Sequence, residues 1–297
     1  MSGSPKGDPL SCDIILLMII LCLIFVGLIL GSFVNAYVWR IHEQSQSIGR
    51  KKKDDIYSKR LSVLNGRSMC TDCKHELGIL DLIPLFSWLM LRGKCRYCHK
   101  RISIQYPVVE ASSSLLFIFS YFWWPNTFNG LQYGELIVWL LIVTILLALV
   151  VYDIRWMLLP NSIMISLFVV SSLFALLNIF NSSQYISSLI AVILSVLIGG
   201  GLFYIIFQIS DGKWIGGGDV KLGWVLGLIA GTPDRSLLFI FLASIIGSIV
   251  ALPLLLSGKL SKGSIIPFGP FLIVAIFIVQ LFGNEIINWY QHVLFSI

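Results

Sequence analysis

The 297 residues are 57% hydrophobic and only 12% charged, with a formal net charge of +6 and a mean hydropathy of +0.89. A soluble domain carries about twice that charged fraction, so the composition excludes an ordinary soluble enzyme and indicates a polytopic membrane protein. The positive balance does not call for a nucleic acid partner, because basic residues gathered at the cytoplasmic face of a membrane account for it.

Eight apolar segments follow one another, at 14–39, 105–124, 135–152, 160–180, 185–208, 220–231, 236–256 and 268–288. All but the sixth have about the 20 residues a helix needs to cross the hydrocarbon core. Turn signals separate them at Trp124-Pro125-Asn126, Pro160-Asn161, Asn181-Ser182-Ser183, Gly231-Thr232-Pro233-Asp234 and Ser257-Gly258. The expected fold is therefore all-α, with about eight transmembrane helices. A first helix occupies 1–39, a cytoplasmic loop 40–104 and a seven-helix membrane domain 105–297. The first segment is longer than the core of a secretory signal, is preceded only by Lys6, which Asp8 and Asp13 offset, and is followed by a basic cluster, so it reads as a retained helix. With the N-terminus outside, nineteen of the 21 Lys and Arg fall at or near the inner face, fourteen of them between Arg40 and Arg101. That bias puts both termini outside and the large loop inside.

Within the loop, residues 44–67, with Gly49-Arg50-Lys51-Lys52-Lys53, read as a solvated basic linker, with contact to anionic lipid as the alternative. No internal repeat stands out. Cys70-Thr71-Asp72-Cys73 and Cys95-Arg96-Tyr97-Cys98 are two CxxC knuckles with 21 residues between them. Two such hairpins close a tetrahedral four-thiolate site, and a cytoplasmic loop disfavours disulfides, so Cys70, Cys73, Cys95 and Cys98 are expected to hold a structural Zn²⁺. Free or redox-active thiols are the other reading. The apolar stretch between the knuckles, Leu82 to Leu89, is too short to span and is expected to lie on the membrane surface or under the metal module.

Of the fifteen acids, Glu110, Asp153, Asp211 and Asp219 lie in or beside inward-facing membrane segments, where ionisable groups are costly and are functional suspects. Asp153 ends the third segment, and the plainer reading is an interfacial acid paired with Arg155. Asp219 follows Gly216-Gly217-Gly218, a run that lets the backbone bend sharply; a solvated acid in a flexible turn is its plainer reading. Taken together the two fall at one membrane face. Paired carboxylates activate water and polarise a carbonyl when one is ionised and the other protonated. No Ser/His/Asp arrangement or HExxH helix competes with them. Glu110 contacts a substrate in one reading and packs between helices in the other. Lys221 tunes Asp219 or anchors its turn. A helical rise of ~1.5 Å per residue places Asp153 about 27 Å and Asp219 about 18 Å from the outer face. The glycine run is expected to let the chain dip so that the two converge under a water-filled cleft, with the cysteine loop as its roof.

The ordered set of motifs resembles the type IV prepilin leader peptidases. Gly31-Ser32-Phe33-Val34-Asn35 through Arg40 is similar to that family's first-helix signature. The double CxxC loop with Pro84 to Leu89 and Leu91 to Cys95 is similar to its zinc loop, and Tyr106-Pro107-Val108-Val109-Glu110 follows. Asp153 with Pro160-Asn161, Gly216 to Lys221, and Pro267-Phe268-Gly269-Pro270-Phe271 complete the set. The resemblance implies a multi-pass enzyme of the bacterial inner membrane that cleaves the leader of type IV prepilins or type II secretion pseudopilins at the cytoplasmic face. It also implies N-methylation of the new terminus with S-adenosylmethionine, for which Arg92, Gly93 and Lys94 are the candidates. The long 44–67 stretch departs from the shorter connection of the family. Other GxGD intramembrane proteases share the aspartates but lack the double CxxC loop. A transporter or assembly scaffold would place its acids near mid-bilayer.

Overall fold

The computed structural model describes residues 9–47, 66, 68–126, 130–258 and 266–295. Most of the basic stretch expected at 44–67 lies outside these residues. All eight apolar segments form helices, here α1 (Pro9–Ser47), α3 (Gln105–Phe122), α4 (Gly130–Trp156), α5 (Asn161–Asn181), α6 (Tyr185–Ile209), α7 (Gly217–Ala230), α8 (Pro233–Leu256) and α9 (Gly269–Phe295). A short helix, α2 (Phe86–Met90), lies between the two cysteine pairs. Six of the helices are long and apolar enough to cross a membrane: α1, α4, α5, α6, α8 and α9. Among the described residues the other two fall short of that length or hydropathy, so the exact count of eight spans is not confirmed. The 14 residues of α7 reach only about 21 Å. The 18 residues of α3 include Glu110 and Ser112-Ser113-Ser114, which lower its hydropathy.

The contacts divide the chain into two compact units, Met1–Phe122 and Trp123–Ile297. The division falls after α3, so α3 belongs with α1 and the cysteine loop.

In the first unit, α1 and α3 approach closely through Gly27 and Gly31. A Cβ on Gly27 would lie 2.6 Å from Ser114 Cα, and one on Gly31 2.7 Å from Glu110 Cα. The four-residue spacing aligns both glycines on one helix face. Small residues of this kind hold helices together in lipid, where the hydrophobic effect does not. Polar pairs fix the crossing: the Ser114 hydroxyl donates to the Ile24 carbonyl at 2.8 Å, and Asn35 Nδ2 donates to the Tyr106 carbonyl at 3.2 Å.

In the second unit, α7 is gripped by α6 in the same manner. A Cβ on Gly223 would meet the Gly199 carbonyl oxygen at 2.5 Å, and one on Gly227 would meet Val196 Cα at 2.7 Å. Ser195 Oγ donates to the Gly227 carbonyl at 2.8 Å, while Ser236 Oγ of α8 donates to the Ser195 carbonyl at 2.9 Å. Gly231, with φ 72°, caps α7 and returns its N–H to Gly227, the left-handed ending that glycine favours. Pro233 then opens α8, where its missing N–H costs nothing. On the far side of this unit Trp139 of α4 is fully buried, stacked on Phe277 of α9 at 5.9 Å and beside Phe174 of α5 at 6.1 Å.

Gly199, Gly200 and Gly201 are adjacent in sequence yet differ in role. A Cβ on Gly201 meets nothing within 4 Å. Gly201→Ala is therefore expected to leave the protein as stable or stabilise it by about 0.5–1 kcal/mol, the helix-interior benefit. Gly223→Ala, whose new atom strikes backbone, should destabilise by about 1–3 kcal/mol. Thermal unfolding of both variants in detergent checks the contrast.

Candidate active site and metal centre

Asp153 lies three residues before the end of α4 and is buried. The helix ends just after it: Met157 takes φ 52° and returns its N–H to the Asp153 carbonyl at 2.8 Å. Asp219 lies in the first turn of α7. Gly216 is the N-cap, in extended conformation, and its carbonyl accepts the Asp219 N–H at 3.0 Å. The Asp219 carboxylate thus stands in the first turn of α7, at the positive end of the helix, where an acid is favoured.

This corrects the expected role of the glycine run. None of Gly216, Gly217 and Gly218 has positive φ; the left-handed pair is Asp211 at 48° and Gly212 at 71°. The chain turns there, after α6, and the glycines begin the helix. Gly218 is instead packed against Leu159, whose Cδ1 a Cβ would meet at 3.2 Å.

Asp153 and Asp219 line one cleft of about 800 Å³ together with Leu159, Asn161, Phe203, Trp214, Gly216 to Gly218, Lys221 and Phe268. Their convergence is measurable at Gly269, the first residue of α9. A Cβ there would lie 2.6 Å from Asp153 Oδ2 and 3.7 Å from Asp219 Oδ1. The cleft walls also include Leu202, Ile206 and Ile240, so two acids sit in a largely apolar enclosure. The pairing considered for Asp153 with Arg155 does not form. Arg155 is exposed and its guanidinium lies over the Trp156 ring at 5.1 Å. Asp211 is exposed and outside the cleft lining.

Lys221 is bonded across to the start of α5. Its Nζ donates to Asn161 Oδ1 at 3.0 Å, which ties the start of α7 to the start of α5, five residues beyond the end of α4. Sequence spacing offered no sign of this link, since sixty residues separate the pair.

Glu110 is in the other unit. It accepts the Leu85 N–H at 2.7 Å and a hydrogen bond from the Ser32 hydroxyl. One buried carboxylate therefore gathers three motifs that are far apart in sequence: the first-helix signature, the Pro84 to Leu89 stretch and the Tyr106 to Glu110 run. Leu85 itself has φ 59°, so this bond also braces a strained backbone.

Cys70, Cys73, Cys95 and Cys98 form a cluster in which every ligand sulfur lies within 4.8 Å of the others, with Cys70 and Cys98 Sγ 3.9 Å apart. Tetrahedral thiolates at ~2.3 Å from a metal stand about 3.8 Å apart, so the cluster fits a metal ion. The two knuckles repeat one another, a symmetry the sequence concealed. Lys74 N–H donates to the Cys70 carbonyl and His99 N–H to the Cys95 carbonyl, both at 3.0 Å. Lys74 and His99 have φ 58° and 57°, and bridges Met69–Glu76 and Lys94–Arg101 close the hairpins. Cys70 is held at about 7, burial pushing its thiol up while hydrogen bonds from Cys73 and Asp72 outweigh it.

Arg92, Gly93 and Lys94 form the turn entering the second knuckle. Arg92 and Gly93 have φ 50° and 68°. A Cβ on Gly93 would meet the Trp88 ring at 2.9 Å, and its carbonyl accepts the Ile102 N–H at 2.7 Å. The Arg92 and Lys94 side chains are exposed. The neighbouring apolar stretch is uncovered rather than tucked under the knuckles: Ile79, Leu80, Phe86, Leu89 and Met90 are all exposed.

The thiol cluster generates a prediction. The purified chain should contain about one metal ion by the four-thiolate count, and Cys95→Ser, at the buried ligand, should release it. Because thiols must deprotonate to bind, retention should weaken as pH falls. Elemental analysis across a pH series reads both effects.

Two family models match the chain: Bacterial Peptidase A24 N-terminal domain over residues 25–124 and Type IV leader peptidase family over residues 140–252. A protein of Bacillus subtilis named prepilin leader peptidase/N-methyltransferase is 30% identical, with 91% of this chain and 97% of that protein covered. Proteins of the same name from Stutzerimonas stutzeri, 29% identical over 91% of this chain and 93% of the relative, and Pseudomonas aeruginosa, 30% identical over 92% and 94%, are similarly close. No solved structure matches the chain significantly.

Proposed function

Because this chain belongs to the type IV prepilin leader peptidase/N-methyltransferase family, we propose that Asp153 and Asp219 are the carboxylates with which it removes the leader from prepilins or pseudopilins. The observation that carries this reading is the meeting of both acids at Gly269 in one cleft. The ionised carboxylate takes a proton from water, and the resulting hydroxide attacks the scissile carbonyl. The protonated carboxyl donates to the carbonyl oxygen. Proton return to the leaving nitrogen then breaks the C–N bond. The apolar walls limit competing water and strengthen both proton transfers.

The enzyme is bifunctional, and its second activity N-methylates the newly exposed terminus. The methyl donor is S-adenosylmethionine, which supplies an electrophilic methyl group when bound. Arg92 and Lys94 present two exposed cations beside a turn locked by Gly93 and Trp88, which supports them as the candidate donor contacts. The metal at the four thiolates is Zn²⁺, in a closed structural role. The protein sits in the inner membrane with both termini outside and the cleft facing the cytoplasm, the orientation favoured by the distribution of basic residues. The exposed apolar stretch from Ile79 to Met90 lies at the lipid surface in this orientation. A transporter reading is disfavoured by Asp153 standing at a helix end instead of mid-span.

Coexpression with a prepilin tests the dyad. Asp153→Ala and Asp219→Ala are each expected to abolish leader removal, by at least ~10⁴-fold for a group acting directly in the chemistry, with the metal content unchanged. Mass spectrometry of the pilin N-terminus reads cleavage and methylation together. Normal processing by either variant would remove that aspartate from the mechanism.

A further inference from the structure

The carboxylate pair is bordered by a residue with no functional group at all. A Cβ on Gly269 would be 2.6 Å from Asp153 Oδ2, 3.5 Å from Asp153 Cγ and 3.7 Å from Asp219 Oδ1. Gly216, Gly217 and Gly218 also border the cleft, but none of their Cβ atoms would touch both carboxylates. The absence of a side chain at 269 is what leaves the gap between the acids open.

Two ordinary reasons for a glycine do not apply. Gly269 is not among the residues with positive φ, so its backbone conformation is open to any residue. Nor is it pressed against a neighbouring helix backbone, as Gly223 is against the Gly199 carbonyl or Gly27 against Ser114 Cα. The atom that a Cβ would strike is the free end of a side chain. Asp153 would have to rotate its carboxylate, and the fold could accommodate alanine by that movement alone.

The position itself is firmly set. Phe268 packs edge-on against Phe203 of α6 at 6.1 Å and against Phe271 at 6.3 Å. Its carbonyl accepts the N–H groups of Phe271 and Leu272. The start of α9 therefore cannot easily retreat from the carboxylates.

We propose that Gly269 is a positioning residue for the cleavage step: its missing side chain keeps the Asp153 carboxylate turned toward Asp219 and reserves the space where the attacking water and the scissile carbonyl meet. This rests on the reading of the two aspartates as the proteolytic pair. One rival account is purely local. The residue before a proline is crowded by the proline ring, and Pro270 follows Gly269, so the glycine could serve the proline.

The experiment uses the full-length enzyme in detergent with a prepilin substrate. Rates of leader removal are measured alongside N-methylation of an already processed pilin and the thermal midpoint. Gly269→Ala is expected to lower kcat by about 100-fold, as a displaced reacting group does, with KM within about threefold of the parent. Methylation and the thermal midpoint should hold. Gly269→Ser should behave alike. Gly201→Ala, whose Cβ would meet nothing within 4 Å, should keep the parental kcat. Adding Pro270→Ala to Gly269→Ala should restore nothing.

Parental kcat in Gly269→Ala overturns the proposal. So does recovery of cleavage on adding Pro270→Ala, which would assign the glycine to the proline. Loss of cleavage accompanied by loss of methylation and a lowered midpoint also overturns it, since the defect is then one of folding. Asp153→Asn, run in parallel, separates the two levels: cleavage retained there rejects the dyad itself.

Discussion

Close backbone contact between α6 and α7 is the constraint on which the site depends. A helix of 14 residues cannot hold its depth in a bilayer by its length, because its ends do not reach both interfaces. In lipid, apolar side chains give little net attraction between helices, whereas close backbone approach and buried hydrogen bonds do. Gly199, Gly223 and Gly227 bring the two backbones together, and Ser195 and Ser236 add hydrogen bonds to main-chain carbonyls. With α7 clamped, its first turn is fixed, and with it Asp219. A larger residue at Gly223 or Gly227 would strike the α6 backbone and displace α7, and with it the carboxylate.

The acids of the membrane helices separate by how they are satisfied. Glu135, near the start of α4, is buried and accepts hydrogen bonds from Asn126 Nδ2 and Asn181 Nδ2. Glu110 is held by Leu85 and Ser32. Both carboxylates have donors that offset the loss of water, and both join distant segments. Asp153, at the other end of the same helix as Glu135, has no hydrogen-bond donor or cation among the described residues; its recorded neighbour is Asp219. A buried acid facing another acid contributes nothing to cohesion. Its retention at that position makes sense for chemistry, where an unengaged carboxylate is free to accept and return a proton.

Much of this was legible in the sequence because composition carries it directly. Apolar runs mark helices, CxxC spacing marks a metal cluster, and the placement of Asp153 and Asp219 at segment ends marks a shared face. Features that depend on three-dimensional proximity were not legible. Gly269 was visible as part of a motif, but nothing in Pro267-Phe268-Gly269-Pro270 states that its missing side chain lies against Asp153. The Lys221–Asn161 link joins two helices with no periodic relation. The knuckle repeat is carried by backbone angles at Lys74 and His99, residues that share no chemistry. For Gly216 to Gly218, composition misled in a specific way: three glycines resemble a flexible bend, yet Gly216 serves as an N-cap, and the turn is made earlier, at Asp211 and Gly212.

The two aspartates are anchored in unlike ways, and this has a consequence for how the site is held together. Asp153 belongs to α4, a 27-residue helix whose other end is locked by Trp139, Phe174 and Phe277 and by the amides around Glu135. Asp219 belongs to a short helix whose anchorage is lateral, against α6. The spacing between the carboxylates is therefore not set by either helix alone. It is set where the helix ends meet: by Gly218 against Leu159, by Lys221 bonded to Asn161, and by Gly269 between the acids. Lys221 is exposed and Leu159 and Asn161 border the cleft. These few contacts where the helix ends meet, together with the α6–α7 seam that holds Asp219 in place, govern the distance across which the proton and the carbonyl must be served.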